Sequence, residues 1–198
     1  MVLAFTRKDV NALNKAIKAE MVKVGKVSKK TTNLTITTQQ DEQEIQGFAK
    51  GDRIMFCENN TKMGVMNGTL ATITKINAHI IDVRLDNGQD LRFDAKEYKK
   101  FQPGYAATVH KSQGVTVDKA YVLATKHFDR HTTYVAMTRH KHSVHLYAGQ
   151  DDFRSKTSLI NSLSKEGQKN STLDFAKHHL AKKLSAYVKN SCYNVKTP

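Results

Sequence analysis

The period of the apolar residues changes several times along this chain. Residues 2–5 form a short apolar run that reads as a strand. Val10, Leu13, Ile17 and Met21 then recur at helical spacing, which predicts a helix with one apolar stripe. The helix should open near Thr6 to Asp9, where a hydroxyl and a carboxylate three residues apart suit a capping box. Gly25 suits its end, because helices commonly stop on a left-handed residue. Residues 26–46 are polar, with a threonine-rich middle, TTNLTITTQ, and read as an exposed strand or a loop.

From residue 48 to 101 the pattern turns to short β-rich runs, at 52–56, 69–76, 80–85 and 90–93. Asn67-Gly68 and Asn87-Gly88 supply turn residues that tolerate positive φ. Ile81, Val83 and Leu85 alternate with Asp82 and Arg84, so one face is buried and one wet. Several such strands in so short a stretch predict a small barrel, bracketed by Gly51-Asp52 and Pro103-Gly104. Residues 120–124 and 143–147 then read as buried strands. Residues 132–142 between them read as a short helix with Tyr134 and Thr138 one turn apart. A barrel inserted between two parts of an α/β unit is the simplest organisation. Beyond residue 151 the chain is polar and basic. Phe153, Leu159, Ile160 and Leu163 suit one amphipathic helix, and Leu173, Phe175 or Ala176, Leu180, Leu184 and Val188 a second.

Composition narrows the partners. The 198 residues carry 32 Lys and Arg against 18 Asp and Glu, a net charge of +14. Such an excess favours polyanions, above all nucleic acid, through salt-sensitive contacts. No apolar run approaches a membrane span, and MVLAFTRKDV is too short in apolar residues for a signal peptide; no membrane partner and a cytoplasmic location are expected. Cys57 and Cys192 form neither a disulfide framework nor a metal spacing. His127, His131, His140, His142 and His145 cluster in sequence, but without HExxH or CxxC no metal site is expected. His140 and His142 should flank the end of the short helix, facing its negative dipole end.

Two phrases carry chemistry: ATVHKSQG, containing Gly114, and TYVAMTRH, containing Arg139, roughly twenty residues apart. The planar, permanently charged guanidinium of Arg139 suits the charge that builds on a transferring γ-phosphoryl group. Gly114 allows a backbone to approach a phosphate closely. The hydroxyl, imidazole and amide groups of Thr108 to Thr116 suit contacts that fix a nucleic-acid backbone without reading sequence. No GxxxxGK[ST] phosphate loop occurs in the chain.

The two phrases resemble the fifth and sixth motifs of superfamily 1 DNA helicases, and LAFTRKDVNALN resembles the fourth. With FAKGDRIMFCENNTKMGVMNGTLATITKI added, residues 2–153 resemble the C-terminal helicase region of Ti-type conjugative relaxase–helicases, in the RecD-like branch. The resemblance implies an α/β fold. Residues 1–46 and 102–150 would form a RecA-like second motor domain, a partial parallel sheet with helices. Residues 47–101 would be an inserted Src-homology-3-like β-barrel, and residues 151–198 a basic helical tail. It implies that Arg139 is the arginine finger, with Gln113, Gly114, Tyr134 and Thr138 toward the nucleotide. Thr6, Arg7, Thr108, His110, Lys111 and Ser112 would face single-stranded DNA, with Asn14 anchoring the fourth-motif loop. Thr116 stands where many relatives carry an acidic residue. ATP and Mg²⁺ are expected only in a complete motor, none bound by this chain alone. The expected partners are single-stranded DNA and a chain or segment carrying the first motor domain. The alternative is a non-catalytic DNA-binding or adaptor fragment of a split relaxase–helicase.

Overall fold

The computed structural model describes residues 1–38 and 41–166. In chain order the elements are β1 (Val2–Ala4), α1 (Arg7–Lys23), β2 (Thr31–Thr37), β3 (Gln43–Ala49), β4 (Arg53–Phe56), β5 (Leu70–Asn77) and β6 (Ile80–Leu85). There follow β7 (Asp90–Asp94), β8 (Phe101–Pro103), β9 (Ala106–Thr108), β10 (Val117–Ala124), α2 (Arg130–Met137), β11 (His140–Ala148) and α3 (Lys156–Ser164). The chain divides into two compact units, Asn11–Ala106 and a second formed by Met1–Val10 with the segment from Ala107 onward.

The two-segment unit is mixed α/β. Its four-stranded sheet runs in the order β11-β10-β1-β9, with β1 parallel to β10 and β10 parallel to β11. Period-two alternation decides its faces. Ala120, Val122, Ala124 and Val144 turn inward and pack with Phe128, Val135, Ala136, Phe153, Leu159 and Leu163 of α2, α3 and their flanks. α2 starts on Asp129, whose side chain accepts from Thr132 N at 2.7 Å. It is shorter than expected. Thr138 already leaves helical geometry, with φ −101° and ψ 5°. His140 and His142, expected around the helix end, are therefore strand residues of β11, paired with β10. α3 is the first of the two expected tail helices, with Leu159 and Leu163 buried. The second, over residues 173–188, lies outside the described residues.

The continuous unit is β-rich. Its five-stranded antiparallel sheet has the order β7-β6-β5-β4-β8, and β4 to β7 match the four expected runs to within a few residues. Phe48, Phe56, Phe93 and Phe101 fill its core, with ring centroids 5.1 to 5.5 Å apart for Phe48–Phe101, Phe93–Phe101 and Phe56–Phe93. On the wet face Asp82 stands opposite Arg92 and Arg84 opposite Asp90, each pair hydrogen-bonded. Of the two readings for the threonine-rich stretch the strand holds, but it is paired and not fully exposed: β2 and β3 are antiparallel, and Leu34, Ile36 and Phe48 join the same core. Threonine favours strands as well as wet surfaces, and two aliphatic side chains at alternate positions are enough to bury one face.

Two buried polar devices organise this unit. The Asp52 carboxylate, with a side chain 1% exposed, accepts from Lys18 Nζ at 2.6 Å, Ala49 N at 2.7 Å and the Tyr105 hydroxyl at 2.8 Å. Burial, then the hydrogen bond to Asp52, pushes the Tyr105 phenol well above its ordinary range. Asn14 accepts from Tyr105 N and Ala106 N and donates to the Ala106 carbonyl, at 2.9 to 3.1 Å. Between them passes Gly104, where a Cβ would stand 2.6 Å from the Ile54 backbone.

Candidate functional site

The segment after β9 folds into a tight turn. Ser112 N donates to the Thr108 and Val109 carbonyls, Gln113 N to the His110 carbonyl and Val115 N to the Ser112 carbonyl. Lys111 N donates to Thr108 Oγ1 at 3.3 Å. Gly114 closes the turn at φ +83°, and a Cβ there would meet nothing within 4 Å; glycine is required by the backbone conformation, and the space beside it is open. His110, Gln113 and Gly114 are exposed, while Thr108 and Lys111 are half-buried. Ser112 departs from expectation. It is fully buried, and its hydroxyl donates to the Val109 carbonyl at 2.7 Å. It holds the turn and presents no group to solvent.

Arg139 sits one residue beyond the C-cap of α2. Its Nε donates to the Val135 carbonyl at 3.0 Å and its Nη2 to Thr138 Oγ1 at 3.2 Å. Thr138 Oγ1 in turn donates to the Tyr134 carbonyl at 2.9 Å. Tyr134 thus contributes its backbone here, and its ring is exposed. Two of the five guanidinium N–H groups are fixed on the end of α2. Among the described residues no carboxylate pairs with Arg139.

The sheet brings the two phrases together. Val117 N, three residues after Gly114, donates to the Arg139 carbonyl at 2.9 Å. This bond lies where the parallel strands β10 and β11 both begin. A second group gathers at the opposite ends of the strands. Phe5, directly after β1, stacks on His127 at 5.5 Å and 19°, and meets His110 edge-on at 6.3 Å. His127 follows β10, which is parallel to β1. An eight-residue strand at about 3.3 Å per residue separates the two ends by roughly 25 Å. Thr6 and Arg7 belong to the Phe5 end. The Thr6 hydroxyl donates to Asp9 Oδ2 at 2.6 Å and accepts from Asp9 N at 3.0 Å, completing the capping box, and Arg7 is exposed. Phe5 and His127 were not among the residues that sequence reasoning selected for this group. Their only signal was position, each just after a strand of the parallel sheet, where α/β folds place their ligands.

Among the described residues no group of three or more His, Cys, Asp and Glu could hold a metal ion. No helix there is long and apolar enough to cross a membrane.

A parallel α/β sheet with a glycine turn and a helix-end arginine at one edge suits a nucleic-acid motor domain. Residues 17–148 match the viral superfamily 1 RNA helicase core domain, and the chain belongs to that family. It is 34% identical over 193 residues to the conjugal transfer protein TraA of Agrobacterium fabrum, covering 96% of this chain and 17% of that protein. It is also 34% identical over 180 residues to the probable conjugal transfer protein TraA of Sinorhizobium fredii, covering 89% of this chain and 16% of that protein. The chain thus spans about one sixth of the length of these relatives. Its fold is similar to that of a Pif1 helicase from Bacteroides solved in complex with ADP-AlF3 and ssDNA. That match has a TM-score of 0.54 at 19% identity, over 96% of this chain and 45% of that one.

Proposed function

We propose that this chain is the second motor half of a conjugative helicase, supplying single-stranded DNA contacts and the arginine finger for ATP hydrolysis. The observation that carries the reading is the hydrogen bond from Val117 N to the Arg139 carbonyl, which fastens the end of the glycine turn beside the arginine. In this reading residues 1–46 and 102–150 are the RecA-like part, and strands β4 to β7, within residues 47–101, belong to the inserted Src-homology-3-like barrel.

The residues at the Arg139 edge fit one wall of a nucleotide site. A guanidinium with three N–H groups left over and no carboxylate partner among the described residues is suited to an anion. Exposed Gln113 and Gly114 lie on the adjoining turn, and Thr138 orients the guanidinium through its hydroxyl. When held by a phosphate-binding half, ATP would supply the γ-phosphoryl group and Mg²⁺ would neutralise its oxygens. Arg139 would stabilise the charge that builds on that group. Ser112 positions the turn and touches neither ligand.

The opposite edge receives single-stranded DNA. Thr6 is occupied by the cap, so its contribution is to order the first turn of α1. There the free amides and Arg7 favour a phosphate. Thr108, His110 and Lys111 add contacts from the turn, and the stacked Phe5–His127 pair borders them.

The test is reconstitution. The chain is mixed with the phosphate-binding half of a relative, and DNA-stimulated ATP hydrolysis is measured. The expected result is no hydrolysis by the chain alone and hydrolysis by the mixture. Arg139→Ala should cut that rate by about 10³-fold or more and leave single-strand binding within about twofold. Hydrolysis by the lone chain, or a mixture indifferent to Arg139→Ala, overturns the assignment. Binding that survives with no hydrolysis in any mixture favours the non-catalytic adaptor instead.

A further inference from the structure

One face of the parallel sheet is packed under α2 and α3; the other carries three rings in contact. Alternation along β10 and β11 turns Ala120, Val122 and Val144 into the core, and so turns Tyr121, His145 and Tyr147 the opposite way. The Tyr121 and His145 rings, paired in register, stack at 5.3 Å and 15°. Tyr121 and Tyr147 lie 6.4 Å apart at 34°. His145 is exposed, and Tyr147 is 42% exposed. Lys119, two residues before Tyr121 and therefore on the same face, is exposed and pairs with no carboxylate among the described residues. Cross-strand aromatic pairs stabilise sheets, and rings that stay exposed while they do so also offer a face to a ligand.

We infer that Tyr121, His145 and Tyr147 form a stacking platform for unpaired bases of single-stranded nucleic acid. The inference rests on the DNA-binding reading given above and adds a surface that no motif of the chain marks. Every base has a π-face, so a row of rings binds single strands without reading sequence. The charge fits, since a chain of net charge +14 with an exposed lysine beside the rings draws a polyanion. The position fits as well. Tyr147 is the penultimate residue of β11, so the platform opens toward the strand ends that carry Phe5 and His127. Bases splayed from a backbone held there would reach the rings.

The chain contains no tryptophan, so Tyr147→Trp installs a single indole on the platform. Its fluorescence is titrated with an oligothymidylate and with an abasic oligonucleotide carrying the same number of phosphates. The expected result is saturable quenching by the first and little by the second. In a parallel anisotropy titration, Tyr147→Ala should weaken oligothymidylate binding by about tenfold and leave abasic binding unchanged. Tyr147→Phe should bind as the parent does. Equal quenching by both polymers, or Tyr147→Ala binding like the parent, overturns the platform and leaves the motor assignment standing. Absence of any single-strand binding by the parent chain overturns both. Self-association lost in Tyr147→Ala, with DNA binding intact, assigns the face to a second copy and likewise overturns the inference. The tryptophan variant keeps a ring at position 147, so its result decides even where the alanine variant is unstable.

Discussion

Arg139 shows how far the end of a helix can order the side chain that follows it. A free arginine samples many rotamers, and ordering it on binding costs entropy. Here Nε and Nη2 are already bonded to the end of the helix that precedes it, so part of that ordering is already met in the fold. Residue type and spacing single this arginine out in the sequence, and the structure adds the hydrogen bonds that hold it. The same reasoning failed at Ser112, because a hydroxyl that faces a ligand and one that closes a turn look alike until burial is known. Tyr98 gives a prediction at this scale. Its hydroxyl donates to the Glu58 carbonyl at 2.9 Å, and burial raises its pKa to about 12. The unfolded chain releases that proton near pH 10, while the folded one retains it. Above pH 10 the unfolded state therefore binds fewer protons, and stability falls as pH rises toward 12. Melting temperatures between pH 9 and 11.5 should drop more steeply for the parent than for Tyr98→Phe.

Among the elements, those with a strong period were legible and those shaped by a few tertiary contacts were not. The helix α1 was read from its stripe and its capping box, and strands β4 to β7 from alternation and turn glycines. TTNLTIT reads as an exposed strand or a loop and is a strand; its partner β3 and its dry side were not legible, because it is mostly polar and only Leu34 and Ile36 mark that side. The helix α2 was read too long because TRHKHS carries no breaker; its end is set by Thr138 turning back on Tyr134 and by pairing of β11 with β10. The Asp52 junction was invisible to a linear reading, since its partners are Lys18, Ala49 and Tyr105. Its removal is predicted to cost more than a surface ion pair. Asp52→Asn leaves Lys18 and Ala49 N facing an amide in place of a buried carboxylate. Lys18 is partly exposed, its side chain 23% accessible, so water offsets some of the loss. The expected destabilisation is about 2–3 kcal/mol, read as a lower urea midpoint at unchanged slope.

For the whole molecule, net charge sets how binding responds to salt. Exchange of phosphate counterions for lysine and arginine gives single strands a slope of about −0.7 per phosphate in a plot of log affinity against log salt. With about five to eight phosphates engaged, the predicted slope lies between roughly −3.5 and −5.5. Tyr147→Ala should shift this line downward without tilting it, whereas a lost basic contact flattens it. A salt-independent affinity would count against nucleic acid as the partner.

The Asn14 amide has an evolutionary corollary. It clasps the beginning of the continuous unit to its last two residues, Tyr105 and Ala106. A segment whose two ends are pinned side by side can be spliced into a host, or removed from it, with little loop-closure penalty on either side. On the reading proposed above, in which the β-rich strands are inserted, this clasp makes them a cassette. On that reading a change of length within it is tolerated while Asn14 keeps its grip on Tyr105 and Ala106.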